Sequence, residues 1–287
     1  MKDAKLVSVS PIEVQSGKKE KTLFGFSRKQ LCIPYGVFLV MFVLIPLLLV
    51  VYYAFTDASG HITFENFLSF FGDRTKISTL LISILVAFAV TVICLLIAYP
   101  VAFILTKMRK STAFILLLLF VTPMWINFVL RAMAMKELLT LLGIPLGSGA
   151  NVIGLVYDFL PFMILPLYST LIKMDKSLEE ASADLGANRI KTFCKITLPL
   201  SVPGIVSGAT MVFLPVMSCY VVTDAFGGST GFTVIGKLIA WCFLGEGGTL
   251  SNVNGGATIS LVMLVIMFVI MLFTGGFKNE DVRGTNL

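Results

Sequence analysis

The side chains able to do covalent or metal chemistry are few and badly placed for it. A single histidine, His61, stands in the 287 residues, and the five cysteines (Cys32, Cys94, Cys194, Cys219 and Cys242) are scattered. An odd, unspaced cysteine set gives neither a disulfide framework nor a zinc site. No catalytic residue and no metal-ligand set is therefore expected. The segment Gly231 to Lys237 fits the first seven positions of a phosphate-binding loop. Its eighth position must carry a hydroxyl to hold Mg²⁺, and Leu238 stands there. A re-entrant or surface loop is expected at that place. What remains is polar recognition chemistry. Asp158 and Asp224 lie in or beside apolar runs, in company with Asn127, Trp125, Tyr157 and Tyr220. Carboxylates interleaved with aromatic faces suit a cation, each ring contributing about 0.5–2 kcal/mol. Plainer readings stand beside this one. Aromatic residues near helix ends anchor at membrane interfaces, Asp158 can pair with Arg131, and Asn127 can join helices.

The elements that position these groups must be membrane-spanning helices. Hydrophobic residues make up 57% of the chain and charged ones 13%, and the mean hydropathy is +0.94. A soluble domain carries about 25% charged residues, so a chain so poor in charge needs lipid as its main solvent. Nucleic acid is not an expected partner, because the basic residues sit in short segments between apolar runs rather than on one face. A span needs about 20 apolar residues. Cutting the chain at its charges gives six, near 31–54, 77–105, 112–131, 151–172, 203–224 and 257–277. The first is too long for a signal peptide and lacks a cleavage pattern. Prolines in these runs, such as Pro100, Pro161 and Pro166, read as kinks that neighbouring helices tolerate.

Six spans place both termini on one side. Seventeen of the 22 basic residues fall on the side of the termini and of the 106–111 and 173–200 loops, and five on the other. The positive-inside rule makes that side cytoplasmic. Residues 1–30 form a cytoplasmic tail whose composition favours disorder, residues 31–277 a transmembrane domain, and residues 278–287 a second cytoplasmic tail. Acidic residues split nine inside and seven outside. The outer side is thus slightly negative, as a cationic solute would want.

The loop at 173–200 has a readable shape. Ser177 and Glu180 have capping-box spacing, Ala181 and Ala183 favour helix, and Gly186 falls where a left-handed residue ends one. Asn188 can cap a second helix with Ile190, Phe193 and Ile196 along one face. Pro199 opposes simple continuation. The expectation is helix, glycine turn, helix, held at the membrane surface.

The order Glu180-Ala181-Ser182, Gly186, Ile196, Leu198-Pro199 resembles the EAA loop of ABC importer permeases, with Ser182 where that family usually has alanine. The chain is thus identified as a member of that family, with an all-α polytopic bundle of the type I importer fold in the bacterial inner membrane. The resemblance implies that the loop is a coupling helix seated in a separate ATPase. ATP and Mg²⁺ are then used by that partner, and this chain binds no cofactor and catalyses no reaction. It also implies a second homologous permease subunit, two ATPase subunits and an extracytoplasmic binding protein as partners, besides membrane lipid. The segments Thr122–Asn127 with Arg131, Ile153–Tyr157, Leu160–Ser169 and Phe213–Gly228 resemble the spermidine/putrescine permeases of the B type. That implies a polyamine cargo, with Trp125, Asn127, Tyr157, Asp158, Tyr220 and Asp224 along its path. Related branches carry iron, sulfate, phosphonates or opines on the same scaffold. A secondary transporter driven by an ion gradient would leave the capped loop unexplained and would favour internal repeats, of which none is visible.

Overall fold

The computed structural model describes residues 28–227, 232–245 and 252–276. Most of both tails, together with Gly228 and Gly231, lies outside the described residues. The regular elements are helices, and an isolated bridge between Thr56 and Ile62 is the one extended pairing among the described residues. Residues 1–48 and 49–287 form two compact units. The first consists, where described, of α1 (Arg28–Leu39), a π turn (Val40–Leu44) and the start of α2 (Ile45–Ala54).

The second unit continues through α3 (Glu65–Gly72), α4 (Arg74–Lys107), α5 (Lys110–Val121), α6 (Phe128–Leu141) and α7 (Ser148–Leu171). Then follow α8 (Lys176–Asp184), α9 (Arg189–Thr192), α10 (Leu198–Ser218), α11 (Val221–Gly227), α12 (Ile235–Leu244) and α13 (Val253–Gly276). Among the described residues, five helices are long and apolar enough to cross a membrane, and a sixth span exists if the bent α5–α6 pair counts as one.

The core is where α4, α7 and α10 pack on one another. Along α4 the buried residues Ala87, Val90, Thr91, Cys94, Ala98 and Ala102 recur at helical spacing and form one stripe. Most are small, which lets the partner helix come near. The buried Thr91 hydroxyl donates to the Ala87 carbonyl at 2.7 Å, so no polar group is left unsatisfied there. On α10, Gly204 and Gly208 face α7 four residues apart. A Cβ on Gly208 would lie 2.6 Å from Met163 Sδ, and one on Gly204 2.7 Å from Thr170 Oγ1. Small residues at this spacing are the way helices gain contact in lipid, where no hydrophobic force draws them together.

Two expectations about the spans are corrected. The run 112–131 is not one straight helix: α5 and α6 meet at 101°. A 3₁₀ turn over Thr122–Trp125 contains Pro123, Ile126 is extended, and the Asn127 side chain accepts from the Val129 amide to start α6. Proline removes a donor and clashes with the preceding turn, and Asn127 offers the chain a fresh cap. Together they redirect the chain rather than kink it. The run 203–224 likewise ends at Ser218. Cys219 takes an extended conformation, and α11 begins after Tyr220.

The expected loop over 231–238 is also corrected. Ile235 to Leu238 form the first turn of α12, and the Ile235 amide donates to Ser83 Oγ on α4 at 2.7 Å. That bond satisfies one of the orphan amides at the helix start.

Candidate functional site: the docking loop and the polar groups at the far end

The loop between α7 and α10 is held by local bonds at every turn. Asp175 is the N-cap of α8, its carboxylate accepting from the Ser177 amide at 3.0 Å. The expected cap was Ser177. Asp175 supplies the same chemistry two residues earlier, and the helix starts there. The Ser177 amide holds the Asp175 carboxyl below its usual range. The other end of α8 closes as the sequence suggests. Gly186 has φ +76°, its amide donates to the Ala183 carbonyl at 2.9 Å, and the Ala187 amide donates to the Ser182 carbonyl at 3.1 Å. This bond pair is the Schellman turn, which favours glycine because the left-handed conformation crowds a Cβ. Asn188 then caps α9, its side chain accepting from the Lys191 amide at 2.8 Å.

Beyond α9 the helix does not stop at Pro199. A π turn over Phe193–Thr197 leads into α10, with the Leu198 amide donating to the Phe193 carbonyl. Arg189–Ser218 is therefore one run of 30 residues. The wider turn makes room for the pyrrolidine ring in place of the close i−4 approach that would break a regular helix. The expectation that Pro199 separates loop from span is overturned: the second loop helix and the span form a single rod.

Further contacts close this loop on itself and fasten it to the core. Ser182 Oγ and Thr192 Oγ1 lie 2.9 Å apart, joining α8 to α9; alanine at 182 could not make this bond. Lys107, at the end of α4, pairs with Glu179 on α8 and lies 5.1 Å from the Phe103 ring centroid. Phe193 packs edge-on against Tyr99 and Phe103, with ring centroids 5.5 and 5.9 Å away. Eight residues further on, in α10, Ser201 Oγ lies 3.0 Å from the Tyr99 hydroxyl. Between the loop and α4 runs a groove of about 470 Å³ lined by Phe103, Lys107, Glu179 and Arg189 among others.

The outer faces of the loop are left open. Glu180, Ala181, Gly186, Leu198 and Pro199 are exposed, Ile196 is half-buried and Ser182 is buried. Leu185 is 89% exposed and Ile190 74%. Ile190 thus parts from Phe193 and Ile196, with which it was expected to share one face. Two large apolar side chains thus face outward on a short polar loop. Leu185 was missed in the sequence because it reads as the last residue of an ordinary amphipathic helix.

Away from the loop the polar residues fall into two groups. Arg131 on α6 and Asp158 on α7 form an ion pair at 2.9 Å, with side chains 7% and 1% exposed, and the Arg131 guanidinium stands 5.6 Å from the Phe128 ring centroid. Asp224 on α11 is exposed and pairs with Lys237 on α12. Lys237 also lies over the Trp241 ring, 5.1 Å from its centroid. Trp125 is 86% exposed at the α5–α6 bend, and Tyr157 is partly exposed on α7. Tyr220, half-buried, gives its carbonyl to the Asp224 amide at 2.8 Å. Tyr157 lines an apolar pocket of about 250 Å³ with Pro123 and Phe120. Lys237 and Trp241 did not stand out in the sequence, since their meaning depends on a carboxylate 13 residues away.

Comparison with known proteins adds the following. Residues 15–278 match the family described as binding-protein-dependent transport system inner membrane component. The spermidine/putrescine transport system permease protein PotB of Escherichia coli K12 is 34% identical over 257 residues, spanning 82% of this chain and 91% of the relative. The protein of the same name from Haemophilus influenzae is 36% identical over 256 residues, spanning 81% and 87%. In fold, the chain is similar to a bacterial ABC transporter involved in the import of the acidic polysaccharide alginate. The TM-score is 0.65 at 17% identity, covering 90% of this chain and 96% of that one. Similarity to the MetNI methionine ABC transporter has a TM-score of 0.54 at 20% identity, over 74% and 96% of the two chains.

Proposed function

The chain belongs to the binding-protein-dependent transport system inner membrane components, multi-pass permeases of ABC importers, and from that premise we propose that it moves polyamines across the inner membrane. Cargo is received from an extracytoplasmic binding protein. ATP and Mg²⁺ are used by two ATPase subunits docked at the loop, and a second homologous permease completes the path. This chain hydrolyses nothing and holds no cofactor.

The observation that carries the reading is the loop. A Schellman-closed, Asn-capped helical hairpin presents Glu180, Leu185 and Ile190 outward and runs through α9 into α10 without a break. A push on such a hairpin becomes a tilt of a span rather than a bend at a joint, which is the kind of rigid-body change that switches access. The cargo follows from the relatives named for spermidine and putrescine and from the chemistry at the far end. Asp224 offers a carboxylate at the water-facing end, and Trp125, Tyr157 and Tyr220 offer rings to an ammonium-bearing chain. Asp158 acts on the path through Arg131, which it holds in place.

The test is uptake of labelled spermidine by cells that express this permease with its second permease, ATPase and binding protein. Spermidine and putrescine should compete, while sulfate and ferric iron should not. Competition by sulfate or iron alone would assign the chain to another branch of the same family.

A further inference from the structure

Lys237 occupies a position that the proposed cargo would itself want. Its ammonium sits between the carboxylate of Asp224 and the face of Trp241, the ring centroid 5.1 Å from Nζ. A carboxylate attracts an ammonium by its charge, and an indole face, the best of the aromatic rings for a cation, by its quadrupole. The pair does little for stability, because the Asp224 side chain is 54% exposed and solvent screens such pairs strongly. The two sides of the arrangement also lie on different elements. Asp224 follows α10 after the extended break at Cys219, whereas Lys237 and Trp241 ride together on α12, one turn apart. The two elements meet at the end of α10, where a Cβ on Gly236 of α12 would lie 2.1 Å from the Ser218 carbonyl oxygen.

We propose that Asp224 and Trp241 form an ammonium-binding subsite at the far end of the bundle, which Lys237 fills as a tethered stand-in until a cargo amine displaces it. The inference rests on the polyamine reading for its cargo but not for its chemistry, since any primary ammonium fits the site. A tethered competitor keeps affinity for free amine low, so cargo passes without being trapped. It also keeps the carboxylate from capturing small inorganic cations while no cargo is present.

The chain has two tryptophans, Trp125 and Trp241, so Trp125→Phe leaves Trp241 as the only indole reporter. The full chain carrying that change is purified in detergent and titrated with n-butylammonium chloride, with tryptophan fluorescence as the signal. Adding Lys237→Met should tighten binding at least fivefold, Lys237→Arg should match the parent, and Asp224→Asn should abolish the response. Lys237→Gln repeats the test if the methionine variant does not fold. Equal affinity with and without Lys237, or undiminished binding in Asp224→Asn, overturns the subsite. Spermidine uptake by the complete importer is read separately. A tightened butylammonium response without spermidine uptake keeps the subsite and removes the polyamine cargo, and the converse removes the subsite alone.

Discussion

Arg131 and Asp158 have left water almost completely, and their pairing decides what either can do. A buried pair contributes little net stability, yet removal of one partner strands the other charge at a cost of about 3–5 kcal/mol. Arg131→Met or Asp158→Asn should therefore lower the unfolding midpoint of the detergent-purified chain markedly. The double change Arg131→Met with Asp158→Leu should recover most of the loss. Single losses that simply add in the double variant would mean that the charges do not depend on each other. Such a pair was legible in the sequence as one of two options, because arginine and aspartate in adjacent apolar runs have few other partners. The choice between path residue and structural pair was not legible, since it turns on burial. The Asp224–Lys237–Trp241 arrangement was less accessible still. Its members come from two short helices whose existence depends on a chain break after α10.

At the level of elements, the sequence marked the loop by residues whose effect is local. Gly186 and Asn188 act within a turn of their own positions, and a turn can be read one residue at a time. The π turn and the bent α5–α6 pair were not readable, because each is a contest between a proline and its surroundings. At Pro199 the helix absorbs the ring by widening; at Pro123 a competing Asn cap takes the chain away. The tie between α4 and α8 is also long-range, with Lys107 and Glu179 lying 72 residues apart. Both are partly exposed, so stability should change by no more than about 1 kcal/mol when the pair is lost. Its role is to link the loop to a third span. Lys107→Glu or Glu179→Lys should cut ATP-driven uptake severalfold at normal membrane abundance, and the exchanged pair, Lys107→Glu with Glu179→Lys, should restore it. Failure of the exchange to restore uptake would show that the two residues act separately.

Across the whole molecule, the loop and the helical core are physically connected. The loop is joined through the chain to α7 and α10 and through Lys107 and Phe103 to α4. These are the same three helices that pack into the core, with Gly204 and Gly208 bringing α10 against α7. Displacement at the loop thus reaches the core through rigid helices, and Asp224 lies just beyond the end of the most directly driven one. The most direct measurement of this account uses the complete importer in proteoliposomes, with ATP supplied on the loop side and labelled spermidine on the other. Glu180→Lys reverses a charge on the exposed face of the loop. Gly186→Val tests the turn, because a Cβ there meets no atom within 4 Å and its cost arises only from φ +76°, which β-branched residues resist. Uptake should need ATP and fall at least tenfold in either variant, with the protein still folded and inserted. Wild-type uptake that continues without ATP under an imposed ion gradient, or normal uptake in both variants, would contradict ATP-driven coupling through the loop.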